Sequence, residues 1–277
     1  MASRASGVIV TLFLLQAWGM VLVIGMFVLS GETLTGTHGL DWAALAGVLG
    51  MISLGCLFLA LARNPMGLVT PLTALLGAAI PALVGVASGE TLGIVTAVGI
   101  VIALVAVVVV SLPARAGRTT GPRADGKQPL DWLLILGAGT GAAGWYLATD
   151  RAHDAGLGTA TTLLAVRLVS IATIGAAFIW ARLRARARGS GSPRITPRLV
   201  LVGLIASLAD TSGTVSYLAA TSIGTLSVTV VLISLHPVFT TLLARVVLHE
   251  RLTRVRQAGV GLAVLGAALI GLGAVSA

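Results

Sequence analysis

Long apolar runs alternate with short polar breaks along the whole chain. Nine runs can be marked, at about 7–30, 43–62, 66–88, 92–112, 130–149, 159–182, 198–219, 223–248 and 254–275. Each is close to the roughly 20 residues that a helix needs to cross about 30 Å of hydrocarbon. The runs are rich in Leu, Ala, Val and Gly without period-2 alternation, which argues for helices and against a membrane β-barrel. Only Ala62–Pro65 separates the second run from the third, and a similarly tight turn separates the seventh from the eighth, so these pairs are expected to be antiparallel hairpins. Arg4 before the first run imitates a secretory signal, but the run continues without a small-x-small cleavage site and is expected to be retained. The pattern predicts an all-α integral membrane protein of about nine transmembrane helices.

Composition agrees. Of 277 residues, 57% are hydrophobic and 10% charged, against about 25% charged in soluble domains. The net charge of +9 raises nucleic acid as a partner, but that requires a basic face on a soluble fold with aromatics for stacking, so no nucleic acid is expected. Cys56, the single cysteine, lies in an apolar run and reads as a small buried hydrophobe, which excludes disulfide frameworks and cysteine-ligated metal. Asp150-Arg-Ala-His153-Asp154 superficially resembles a metal-ligand set, but it reads as a short outside loop that no second cluster faces. Without a Gly-rich phosphate loop, a nucleophile elbow or paired carboxylates, no enzyme, cofactor, metal site or ATP-driven module is expected. Any transport work then draws on a gradient.

Arginine placement sets orientation, because short loops rich in Lys and Arg stay cytoplasmic. With nine spans and a cytoplasmic N-terminus, every one of the 18 basic residues except Arg151 and Arg167 falls inside, while Glu32, Asp41, Glu90, Asp150 and Asp154 fall outside. The expectation is a multi-pass protein of the plasma (inner) membrane with its C-terminus outside. The basic runs read as topology signals that also meet anionic membrane lipids.

Leu59–Ser111 and Ala219–Gly273 share a tight Gly-containing turn, a helix with an internal proline (Pro81, Pro237), a Gly-Glu-Thr-Leu or His-Glu-Arg-Leu-Thr turn, and a closing Gly-rich helix. Glu90 and Glu250 anchor the match. The arginine-based topology puts the two glutamates on opposite sides, which makes this an inverted repeat. The Glu-Arg-Leu-Thr turn behind Pro237, its partner Asn-Pro-Met-Gly-Leu-Val-Thr-Pro at 64–71, and Asp154-Ala-Gly-Leu followed by Ala165-Val-Arg167-Leu-Val-Ser170 resemble the EamA-type transporters of the drug/metabolite transporter superfamily. The resemblance implies two EamA-like repeats, here 1–112 with four helices and 130–277 with five, joined by a basic cytoplasmic linker at 113–129. It departs from the family in two ways. The usual first helix of ten is missing, with residues 7–30 resembling the second, and the arginines argue for the reverse of the family's orientation.

Charges within hydrocarbon are costly and functional by default. Arg167 and Asp210 lie furthest from any helix end, at depths from which they could meet as an ion pair, with Asp210 a candidate proton-coupling carboxylate. The alternative is a permanent packing pair. Ser207, Thr211, Thr214 and Tyr217 recur around Asp210 at helical spacing, as packing glue or as the wall of a wet path. Trp145 offers aromatic surface or an interfacial anchor; His236 beside Pro237 offers a broken-helix gate or a packed imidazole. The favoured function is a secondary transporter exporting a small metabolite or drug by alternating access. Its expected partners are a small-molecule substrate, protons and lipids, with a homodimer as a candidate assembly. The other reading is a non-transporting membrane partner or lipid-handling subunit of a biosynthetic complex.

Overall fold

Apolar runs with no water around them must close their hydrogen bonds internally, and helices do so. A computed structural model describes residues 2–32, 37–64, 66–111, 129–187, 196–239, 242 and 253–275. The helices are α1 (Ala2–Ser30), α2 (Leu40–Arg63), α3 (Met66–Ala87), α4 (Ile94–Ser111), α5 (Pro129–Asp154), α6 (Thr159–Ala187), α7 (Pro197–Thr221), α8 (Leu226–Ser234) and α9 (Arg254–Val275). Among the described residues there is no strand.

Six helices carry stretches long and apolar enough to cross a membrane: Val10–Ser30, Leu40–Arg63, Val69–Ala87, Thr159–Trp180, Leu199–Thr221 and Arg254–Gly273. Ile94–Val110 and Leu226–Phe239 are shorter apolar segments. Helix α5 stands apart because its middle, Gly137-Ala-Gly-Thr-Gly141, is small rather than apolar, and charges lie at both ends. Large side chains such as Val28 (71% exposed), Leu83 (70%) and Leu272 (66%) point away from the packing, where lipid is their natural solvent.

Three helix ends differ from the sequence expectation. Asp150, Arg151, His153 and Asp154 close α5 instead of forming a loop. The helix runs on until Gly156, at φ 91°, supplies a left-handed stop, with Gly156 N–H donating to His153 at 2.9 Å and Leu157 N–H to Ala152 at 3.3 Å. Helix α6 continues past residue 182 to Ala187. The eighth run breaks at Leu235 and resumes helically over 236–239, because Pro237 has no N–H to give the Ile233 carbonyl; the His236 ring bonds that carbonyl instead. Its remainder, including Glu250, lies outside the described residues. Pro71 and Pro81 are accommodated within a continuous α3.

The chain forms two compact units, Met1–Leu59 with Gly144–Ala219, and Ala60–Ala143 with Ala220–Ala277. Each draws on both halves of the sequence, and α5 gives its first half to the second unit and its second half to the first. In the first unit α1 packs on α6, with Leu12, Met51 and Ile174 forming one buried cluster and Ala43, Ala46, Ala148, Ala152 and Val166 another. In the second unit α3 packs on α8 and α4 on α9 around Ile100, Ala103, Val107, Val231 and Ile270. The α4 and α9 backbones nearly touch. A Cβ on Gly266 would lie 2.8 Å from the Ala103 nitrogen, so glycine there is what allows the approach.

Candidate functional site

The first unit holds a buried polar network among apolar helices. Val166 and Ser170 lie on the inward face of α6, and Arg167 beside them is drawn in with them, its side chain 8% exposed. Its guanidinium donates to Gln16 Oε1 on α1 and to Asp210 Oδ2 on α7, with a further hydrogen bond to Thr211 Oγ1 at 3.3 Å. Gln16 in turn donates to the Met51 sulfur at 3.0 Å. Helix α1 leaves room for the head group only because residue 19 is glycine: a Cβ there would lie 2.9 Å from Arg167 Cζ.

The two deep charges of the sequence thus lie together, but unequally. The Asp210 side chain is 41% exposed against 8% for Arg167. On α7, Leu201, Ile205, Leu208, Ser212 and Ser216 share one exposed face, and Asp210 is exposed on the opposite side, the side of Ser207, Thr211, Thr214 and Tyr217. Ser212, Thr214 and Ser216 satisfy their hydroxyls by donating to carbonyls four residues back, at 2.7, 2.9 and 2.9 Å. Ser207 is fully buried one turn before Thr211, and its hydroxyl has no hydrogen-bond partner among the described residues.

The remaining candidates fall elsewhere. Tyr217 is buried and donates its hydroxyl to the Tyr146 carbonyl at 3.0 Å, closing a trio with Trp145 and Tyr146 whose ring centroids lie 5.0–5.5 Å apart. Trp145 also lies across α2 at Gly50, which places it inside the helix packing. His236 is exposed at the break after α8, in the second unit, and Pro237 beside it is buried. Glu90 accepts hydrogen bonds from the first amides of α8.

Gln16 is the member of the network that the sequence reading passed over. A signal was present, since it is the one amide side chain in the run 7–30.

The EamA-like transporter family matches residues 129–272, more than half of the chain. The chain belongs to this family. The matched segment contains Arg167, Asp210 and α7. With its spanning helices, family membership makes the chain a multi-pass membrane protein of a transporter family, and that family is not one of enzymes. A solved structure described only as "Crystal structure of protein" is similar over 98% of this chain and 92% of its own, at 19% identity and a TM-score of 0.70, which shows a shared fold. No curated protein matches the chain.

Proposed function

We propose that this EamA-like protein is a gradient-driven exporter of a small metabolite or drug, working by alternating access with Arg167 and Asp210 at its centre. The observation that carries this reading is the unequal burial of the pair. A permanent packing pair would enclose both charges, because an open carboxylate in hydrocarbon is costly. Asp210 is instead 41% exposed on a spanning helix, as expected of a carboxylate that meets water. Arg167 keeps Gln16 and Thr211 when Asp210 moves, so the carboxylate is free to exchange between the guanidinium, a proton and a substrate. The unpartnered Ser207 hydroxyl one turn away is a further group for substrate or water.

In this reading the halves 1–112 and 130–277 are inverted EamA-like repeats around the linker at 113–129, inserted with the N-terminus inside and the C-terminus outside as the arginines require. The ion pair of Arg63 and Asp131, at 2.6 Å, supports the alternation of spans, since it joins the end of α2 to the start of α5, which alternation puts on one side. The coupling ion is a proton, and a homodimer is the proposed assembly.

Proteoliposomes given a panel of labelled small metabolites, with and without an imposed pH gradient, test the function. Gradient-dependent flux is expected, lost in Asp210→Asn and altered in its pH dependence in Arg167→Lys. Wild-type flux and pH dependence in both variants would remove the pair from the mechanism. An outside-only reporter fused to the C-terminus tests the orientation, which a cytoplasmic reporter position overturns.

A further inference from the structure

The pentapeptide Ser-Gly-Glu-Thr-Leu occurs twice, at 30–34 and 88–92. The first copy follows α1 and the second follows α3, and both glycines are left-handed, with φ 66° at Gly31 and 101° at Gly89. Ending a helix needs only the glycine. The glutamates do something more. In the first unit, Glu32 reaches the start of α6, where Oε1 accepts the Ala160 N–H at 3.0 Å and Oε2 accepts the Thr161 N–H and hydroxyl, both at 2.9 Å. In the second unit, Glu90 reaches the start of α8, where Oε1 accepts the Leu226 N–H at 3.0 Å and Oε2 the Ser227 N–H at 3.3 Å.

The receiving segments match as well. Gly158-Thr-Ala-Thr161 and Gly224-Thr-Leu-Ser227 share the order Gly-Thr-x-Ser/Thr. A helix start leaves amides without partners and carries partial positive charge, and a local Thr or Ser can cap it. Thr225, at the cap position of α8, makes no such bond. The cap comes instead from a carboxylate more than 120 residues earlier in the chain, 128 residues for Ala160 and 136 for Leu226. The fit is close: a Cβ on Gly158 would lie 2.3 Å from Glu32 Oε2, and one on Gly85 would lie 2.6 Å from Glu90 Oε2. Each carboxylate therefore fastens a helix of the first half of the chain to a helix of the second half within its own unit. Helix α1 carries Gln16 and ends two residues before Glu32, and α6 carries Arg167 less than two turns beyond Thr161, so the Glu32 contact fastens the end of α1 to the helix that holds the site's cation.

We propose that Glu32 and Glu90 are a duplicated latch, and that release of their carboxylates from the starts of α6 and α8 opens each unit at that end. This proposal rests on the transport reading for its place in a cycle. The latch suits a reversible gate because each carboxylate trades two or three amide and hydroxyl donors for water without leaving a charge buried.

The test uses the full chain in lipid nanodiscs, where both faces meet a water-soluble maleimide. In a Cys56→Ser background, Thr162→Cys reports on the start of α6 and Val230→Cys on α8; both positions are buried. Glu32→Gln should speed labelling at 162, and Glu90→Gln at 230, by about tenfold, the scale of a lost helix cap. Gly158→Ala displaces the carboxylate from the receiving side and should reproduce the Glu32→Gln result, which guards against a folding artefact of either variant. Unchanged labelling in Glu32→Gln and Gly158→Ala, with normal melting, overturns the latch. Flux measured on the wild type and the same variants in proteoliposomes separates the two ideas: faster labelling with no flux in the wild type sinks the transport reading and keeps the latch, whereas flux in the wild type with unchanged labelling in the variants does the reverse.

Discussion

The unequal burial of Arg167 and Asp210 predicts that the two members of the pair are not equally expendable. Asp210→Asn keeps the volume but leaves a guanidinium that is 8% exposed with only neutral acceptors, Gln16, Thr211 and the new amide oxygen, and no countercharge. Removing one partner of a fully buried ion pair costs about 3–5 kcal/mol; solvent at the 41% exposed Asp210 and the neutral acceptors bring the expectation to about 2–3 kcal/mol. Arg167→Met keeps the apolar stem of the side chain and leaves a carboxylate that water reaches, at about 1 kcal/mol. At about 2–4 °C per kcal/mol for a chain of this size, melting of the purified protein should fall by about 5–10 °C in the first variant and about 2–4 °C in the second. The double variant should be more stable than the sum of the singles predicts, with a coupling of about 1–2 kcal/mol. Two results would refute the reasoning: Arg167→Met as the more damaging change, or additivity within about 0.5 kcal/mol.

Two further predictions concern helix contacts, one in each unit. Burial pushes the Glu32 carboxyl up, but the Ala160 and Thr161 donors and the nearby His153 outweigh it and hold the pKa below the ordinary glutamate range. A depressed folded pKa means that the contact contributes fully above the ordinary value and is lost as pH falls through the folded one. Protection of the Ala160 and Thr161 amides from hydrogen exchange, relative to the intrinsic rate at each pH, should therefore be high at neutral pH and fall only below about pH 4, whereas a fall between pH 7 and 5 would contradict it. On α9, Gly266→Val must push the α4 backbone away and should cost about 1–3 kcal/mol in melting, while Gly261→Ala, with nothing within 4 Å of the new Cβ, should cost nothing; equal effects would count against the close α4–α9 approach.

The spans were legible because a run of about 20 apolar residues admits few structures. Arg167 and Asp210 stood out for the converse reason, that charge is expensive in such a run. What the sequence did not reveal depends on which helix meets which. Asp150–Asp154 read as a loop because charge suggests a break, yet the left-handed turn at Gly156 sets the end of α5. Gln16 is one amide among apolar neighbours, and its importance appears only when α6 brings Arg167 against it. The repeated Ser-Gly-Glu-Thr-Leu is visible in the sequence, but nothing local says that Glu32 belongs to α6 or Glu90 to α8. The grouping of α1 with α6 and α4 with α9 is likewise a matter of long-range packing.

The interleaving of the two units imposes a schedule on synthesis. When the ribosome has finished α1, the helix that completes its polar contacts does not yet exist: Gln16 waits 151 residues for Arg167, and Glu32 waits 128 for Ala160. At about 5–20 residues per second, that is an interval on the order of ten seconds. During it, α1 to α4 must be held by the insertion machinery or by one another with their eventual contacts unmade. Neither unit can close before the second half of the chain is in the membrane, so an early stop in translation yields neither a complete first unit nor a complete second one.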